Sequence, residues 1–186
     1  QLMPYTATHI LIPILLVSIF RDFYLKKRSK ANFPLHYALI AGLAGVLPDI
    51  DIIFSIFRNL AGVQAWDIHK TFTHSLFFPL LFFTLFIILI PVHKKARICN
   101  LTRHKLRLSI IFLMISIGTL IHILLDALLG NSAFLFYPFS SQDFGLYLIS
   151  YLPKVLEDLA FPLLDGILVV IWIFYLEIKH KISDFI

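Results

Sequence analysis

The chain has 186 residues, 59% hydrophobic and only 15% charged, with a mean hydropathy of +0.88; a soluble domain carries about a quarter charged residues, so this balance belongs in a membrane. The net charge of +5 lies in short loops between apolar blocks, which fits membrane orientation and argues against a nucleic-acid surface. The lone Cys99 excludes both a disulfide framework and a thiolate zinc cluster, leaving nitrogen and oxygen to hold any metal.

The apolar residues fall in long blocks rather than the short alternating runs of a β-barrel, which predicts an all-α bundle of about five transmembrane helices. We read residues 3–186 as one domain, with Gln1-Leu2 as a tag remnant before Met3. No cleavable signal peptide is expected, since the first block lacks a basic leading region. That block, residues 8–20, opens on Thr8-His9, contains Pro13, and is followed by Arg21, Lys26, Lys27, Arg28 and Lys30. The second, 35–57, runs into Pro48-Asp49-Ile50-Asp51, where a proline is expected to break the helix and two carboxylates follow. Asp67, His69, Thr73, His74 and Ser75 crowd the start of the third, 75–92, which Lys94, Lys95, Arg97, Arg103, Lys105 and Arg107 follow. In the fourth, 108–129, His122 and Asp126 stand four residues apart and so share one helix face, as metal ligands do. The fifth, 159–176, carries Asp165 and precedes Lys179 and Lys181. Pro13, Pro79 and Pro162 interrupt helical blocks, which membrane helices tolerate when neighbours satisfy the freed carbonyls.

The three basic clusters share one side of a five-helix protein, so the positive-inside rule places the N-terminus outside and the C-terminus in the cytoplasm. Counting about 1.5 Å per residue, His9 lies roughly 18 Å from Arg21, Asp49 roughly 22 Å from Pro34, and His122 and Asp165 roughly 21 Å from Leu108 and Lys179. His74, about 28 Å from His93 by the same rise, lies nearer the outer surface. Polar groups from all five segments therefore reach similar depth in the outer part of the membrane, where ionisable side chains are costly and mark function. One shared cation would neutralise the carboxylates and occupy the imidazole lone pairs. Histidine with carboxylate suits zinc first, with manganese or iron as alternatives, and more than one ion fits the number of donors.

Plainer roles stand beside these. His9 alone is also a helix-to-helix hydrogen bonder, His122 with Asp126 also a neutral buried pair, and Asp49 and Asp51 also caps at a helix exit. Asp165 faces a proton path, pairs with Lys154, or completes the metal site, a role for which Glu157 and Asp158 compete. His36, His93, His104 and His180 fall in basic flanks and are expected to be solvated. The run Phe134-Leu135-Phe136-Tyr137-Pro138-Phe139 reads equally as an acyl-chain entrance and as an interfacial aromatic belt.

Thr8-His9, Gly45-Val46-Leu47-Pro48-Asp49-Ile50-Asp51, His69-Lys70-Thr71-Phe72-Thr73-His74-Ser75-Leu76, Gly118-x-x-x-His122-x-x-x-Asp126 and Tyr137-Pro138-Phe139-Ser140 together resemble the YdjM-like membrane-bound metal-dependent hydrolases, in the same order. That family is similar in its His and Asp order to zinc-dependent phospholipase C, which implies a phosphoester-cleaving metal centre. The resemblance makes His9, Asp49, Asp51, His69, His74, His122 and Asp126 the ligands and catalytic groups. Many family members have His-Arg-Gly at His69-Lys70-Thr71, so Lys70 keeps a positive charge for a phosphate without arginine's bidentate fork. The expected function is hydrolysis of a lipid or lipid-linked phosphoester at the outer face of the plasma (inner) membrane, with Asp49 or Asp51 as general base and Lys70 and His74 in the catalytic group. A cation or proton transporter is the first rival. It predicts polar residues reaching the cytoplasmic side, whereas the inner halves of the segments are almost purely apolar. A metal held for stability alone is the second.

Overall fold

Each apolar block becomes a helix in the computed structural model, which describes residues 6–26, 33–52, 72–91, 97–101, 104–129 and 134–181. The helices are α1 (Thr6–Leu25), α2 (His36–Ala44), α3 (Phe77–Leu89), α4 (Leu108–Leu129) and α5 (Lys154–His180), with 3-10 turns at Pro48–Ile50, Phe72–His74 and Leu148–Tyr151. At about 1.5 Å per residue, α1, α4 and α5 reach roughly 30, 33 and 40 Å, enough to cross a hydrocarbon layer of about 30 Å, while α3 and α2 reach roughly 20 and 14 Å.

Local chemistry explains where these bounds depart from the apolar blocks. Helix α1 runs past residue 20 because its charges find partners: Arg21 donates from Nε to the Phe33 carbonyl at 2.8 Å, and Asp22 accepts from Tyr175 at 3.2 Å. The second block is not one long helix. Pro48 has no N–H to continue the ladder, so the chain tightens after Ala44, and Leu47 bonds Ala44, Asp49 bonds Val46 and Ile50 bonds Leu47 in three-residue steps. Part of the loop expected after α3 is instead an antiparallel hairpin, β1 (Arg97–Leu101) with β2 (His104–Arg107), in which Ile98 is opposite Leu106.

The packing turns a soluble protein inside out. Thr8, His9, Ser18, Ser75, Ser109, Ser116, Thr119, His122 and Asp126 are buried, while Leu163, Ile167, Val170, Ile171, Phe174 and Ile178 of α5 face outward as a lipid-contacting surface does. The result is an all-α membrane bundle. Small residues on α2 let it sit close to two neighbours at once. A side chain at Gly42 would meet Ile14 of α1 at 2.3 Å, and one at Gly118 of α4 would meet the Ala41 carbonyl at 2.1 Å. Helix α3 leans on α4 through Ser116, whose hydroxyl donates to the Pro79 carbonyl at 2.8 Å, and through the stacked Phe82 and Phe112.

Helices α1 and α5 run parallel with a constant offset of 157 residues. Thr8 donates to Asp165 and the Tyr175 hydroxyl donates to the Ser18 carbonyl, with Leu11 and Leu15 packed on Leu168 between them. The contacts place the N-terminal ends of α1, α3 and α5 and the C-terminal ends of α2 and α4 together at one end of the bundle. Chemistry-bearing side chains gather at that end.

Candidate metal centre

His9 opens α1, Asp49 and Asp51 ride the 3-10 turn after α2, His74 closes the turn before α3, and His122 and Asp126 occupy the last two turns of α4. Four parts of the chain thus deliver three imidazoles and three carboxylates to one place. His9, His74 and His122 are almost completely buried.

Four donor atoms converge. His122 Nε2 lies 3.3 Å from His74 Nε2, 3.6 Å from Asp49 Oδ1 and 3.5 Å from Asp126 Oδ2. His74 Nε2 is 3.4 Å from Asp49 Oδ1 and 3.7 Å from Asp126 Oδ2. An ion with ligands at about 2.0–2.2 Å in a tetrahedron separates its donors by about 3.3–3.6 Å, so these spacings fit a zinc-sized cation. Two overlapping donor groups have this character, Asp49 with His74 and His122, and His9 with His122 and Asp126.

Asp126 links the two groups by its separate oxygens, since Oδ2 faces His74 and His122 while Oδ1 lies 3.5 Å from His9 Nε2. His9 stacks on His122 with ring centroids 4.0 Å apart, and its buried Nδ1 has no hydrogen-bond partner among the described residues. Three carboxylates gathered in low-polarity surroundings also call for positive charge beside them.

The imidazoles are aimed from behind. His122 donates from Nδ1 to the Gly45 carbonyl at 2.6 Å, which fixes the tautomer with the Nε2 lone pair inward. Gly45 reaches that position because Pro13 has no N–H for the His9 carbonyl, and an added side chain at Gly45 would lie 2.1 Å from that oxygen. Asp51 stands on the Nδ1 side of His74, at 3.5 Å, and accepts from Thr73 at 2.8 Å. This contact makes Asp51 the orienter of His74, whereas Asp49 faces the Nε2 side. His74 precedes α3 and belongs to no spanning helix. Burial disfavours its charged form, but the bonds to Asp49 and Asp51 and the nearby Asp126 outweigh burial and push its pKa up to about 9.

The other expected site residues fall elsewhere. Asp165 accepts from Thr8 rather than pairing with Lys154, and belongs to neither donor group. Asp158 is exposed and Glu157 half-buried in the first turn of α5, also outside both groups. His69, Lys70 and Asp67 lie outside the described residues. His36 and His180 are half-buried rather than solvated. The sequence reading gave no role to the Gly45 carbonyl or to Thr73, although Thr73 adjoins His74 and Gly45 precedes Pro48 by a single turn.

Among known proteins, a family model described as YdjM inner membrane protein matches residues 3–180. No curated protein and no solved structure matches the chain.

Proposed function

The chain belongs to the YdjM inner membrane protein family, and on that premise we propose that it is a metal-dependent hydrolase that cleaves a phosphoester of a lipid or lipid-linked substrate. The supporting observation is the convergence of the donor atoms of His74, His122 and Asp126, 3.3 to 3.7 Å from one another, three ligands as a catalytic site has, with Asp49, about a quarter exposed, beside both histidines. One member of the cluster is therefore open to an incoming group.

His74, His122 and Asp126 would hold a divalent ion, which when bound would lower the pKa of a water and draw charge from phosphoryl oxygens. Every other task falls to the chain itself. Gly45 and Asp51 lock His122 and His74 so that no reorientation is needed during turnover. Asp49, open on one side, accepts the proton as the water oxygen attacks phosphorus, and returns it to the leaving alkoxide as the ester bond breaks. Lys70 is assigned to the phosphoryl oxygens by its charge. The residues around the opening favour a lipid, since Ile50, Ile52 and Phe72, neighbours of Asp49, Asp51 and Thr73, leave apolar surface exposed. By the positive-inside rule this end faces outward, which puts the substrate in the outer leaflet.

The test is hydrolysis of glycerophospholipids in mixed micelles by purified, zinc-loaded protein, followed as release of the water-soluble product. The proposal predicts release by wild type that Asp49→Asn reduces by at least about 100-fold, the usual scale for a positioned acid–base group. No release from any phosphoester lipid by metal-loaded wild type, or equal release by Asp49→Asn, would overturn it.

A further inference from the structure

The opposite end of the α1–α5 seam carries a second concentration of charge, far from the metal centre. From His9 to Lys26 along α1 is about 25 Å at 1.5 Å per residue. Here the two helices part around a cavity of about 380 Å³ lined by Ile19, Asp22, Phe23, Lys26, Tyr175 and Lys179. Among the described lining residues Asp22 is the one carboxylate, and it is already engaged three times: Lys179 Nζ lies 3.6 Å from its Oδ2, the Tyr175 hydroxyl donates to it at 3.2 Å, and Arg21 Nη1 lies 3.5 Å from its Oδ1. Arg21 is buried, and also donates to the Phe33 carbonyl. With that residue counted, three described cations, Arg21, Lys26 and Lys179, stand around this carboxylate.

Lys26 and Lys179 have capacity to spare. Lys179 is half exposed. Lys26 lies over the Phe23 ring at 4.7 Å and has no ion pair among the described residues. Both stand at the ends of spanning helices, where lipid headgroups lie. Below them the wall turns apolar at Ile19 and Phe23 of α1, both exposed large hydrophobics. Two lysines and a tyrosine over an apolar wall suit a phosphate with acyl chains below it, and basic pockets between membrane helices bind anionic headgroups in this way.

We propose that the cavity between the C-terminal ends of α1 and α5 binds an anionic phospholipid, with Lys26 and Lys179 on its phosphate and the acyl chains along Ile19 and Phe23. The bound lipid would add contacts across a seam that already joins α1 to α5 from Thr8–Asp165 to Asp22–Lys179. The site is independent of the hydrolase reading.

Full-length protein, purified and exchanged into mixed micelles of phosphatidylglycerol and phosphatidylcholine, is analysed by native mass spectrometry for retained lipid. The proposal predicts preferential retention of phosphatidylglycerol. That preference should fall roughly fivefold in Lys26→Gln, by the usual worth of one lysine at a membrane surface. A similar fall is expected in Lys179→Gln, with none in Lys154→Gln at the other end of α5. Because Lys26 holds no ion pair among the described residues, Lys26→Gln is expected to keep the wild-type melting temperature, which separates lost binding from lost fold. Equal retention of the two lipids, or an undiminished preference in Lys26→Gln, would overturn the proposal. So would displacement of the lipid by millimolar inorganic phosphate alone, which would make this a site for free anions.

Discussion

Gly45→Ala isolates the packing that aims the metal centre. The added Cβ would lie 2.1 Å from the His9 carbonyl oxygen, 3.0 Å from the Gly42 oxygen and 3.1 Å from the His9 carbonyl carbon, all backbone atoms. An ordinary contact begins near 3.4 Å, so the end of α2 must retreat from α1 by more than an ångström, and no side-chain rotation relieves it. Overpacking of this kind costs about 1–3 kcal/mol. The same retreat carries away the carbonyl that holds His122 Nδ1 at 2.6 Å, and loss of such an outer partner lowers metal affinity by about 10–100-fold. Gly166→Ala is the control. Nothing lies within 4 Å of a side chain there, and alanine in a helix is favoured over glycine by roughly 0.5–1 kcal/mol. Thermal unfolding in detergent, paired with zinc titration, should show Gly45→Ala losing both stability and affinity while Gly166→Ala loses neither. Wild-type zinc affinity in Gly45→Ala would refute the reasoning, because the clash and the His122 bond share one backbone segment.

Three further outcomes follow from the same geometry. Thr73→Val frees the Asp51 carboxylate that steadies His74, and zinc affinity should fall by about 10–100-fold with little change in helix content by circular dichroism. Thr8→Val strands Asp165 without its hydroxyl donor and should cost about 1–3 kcal/mol of stability, most of it recovered in the Thr8→Val, Asp165→Leu double variant, as a thermal melt would show. Zinc titrated against pH should bind more tightly as pH rises toward 9: the metal-free His74 holds a proton below about that value, and displacing one proton changes affinity about tenfold per pH unit. An affinity flat with pH over that range would mean that His74 is not a ligand.

Much of the site can be read from residue order and helix rise. His122 and Asp126 declare themselves by four-residue spacing, and one length calculation brings His9, Asp49 and His122 to a common depth. Their contacts cannot be read that way. Asp49 and Asp51 are chemically alike in sequence, yet the 3-10 turn forced by Pro48 sends one to the Nε2 side of His74 and the other to the Nδ1 side. Asp165 shares the calculated depth of the cluster but is turned to Thr8, because depth along an axis does not fix rotation about it. The hydropathy of residues 35–57 likewise suggests a long span, whereas Pro48 removes the donor that a continuing helix needs. The Asp22–Tyr175–Lys179 group has no local signature at all, since its members are joined only by the parallel register of the first and last helices.

The central claim is that one divalent cation is held jointly by side chains from the turn before α3 and from α4, beside the carboxylate that follows α2. Elemental analysis of purified wild type beside His122→Ala and Asp126→Ala tests it most directly. The account predicts at least one zinc, manganese or iron per wild-type chain and a loss of most of it in both variants. Equal metal content in all three proteins, or none in wild type after incubation with each metal, would contradict it.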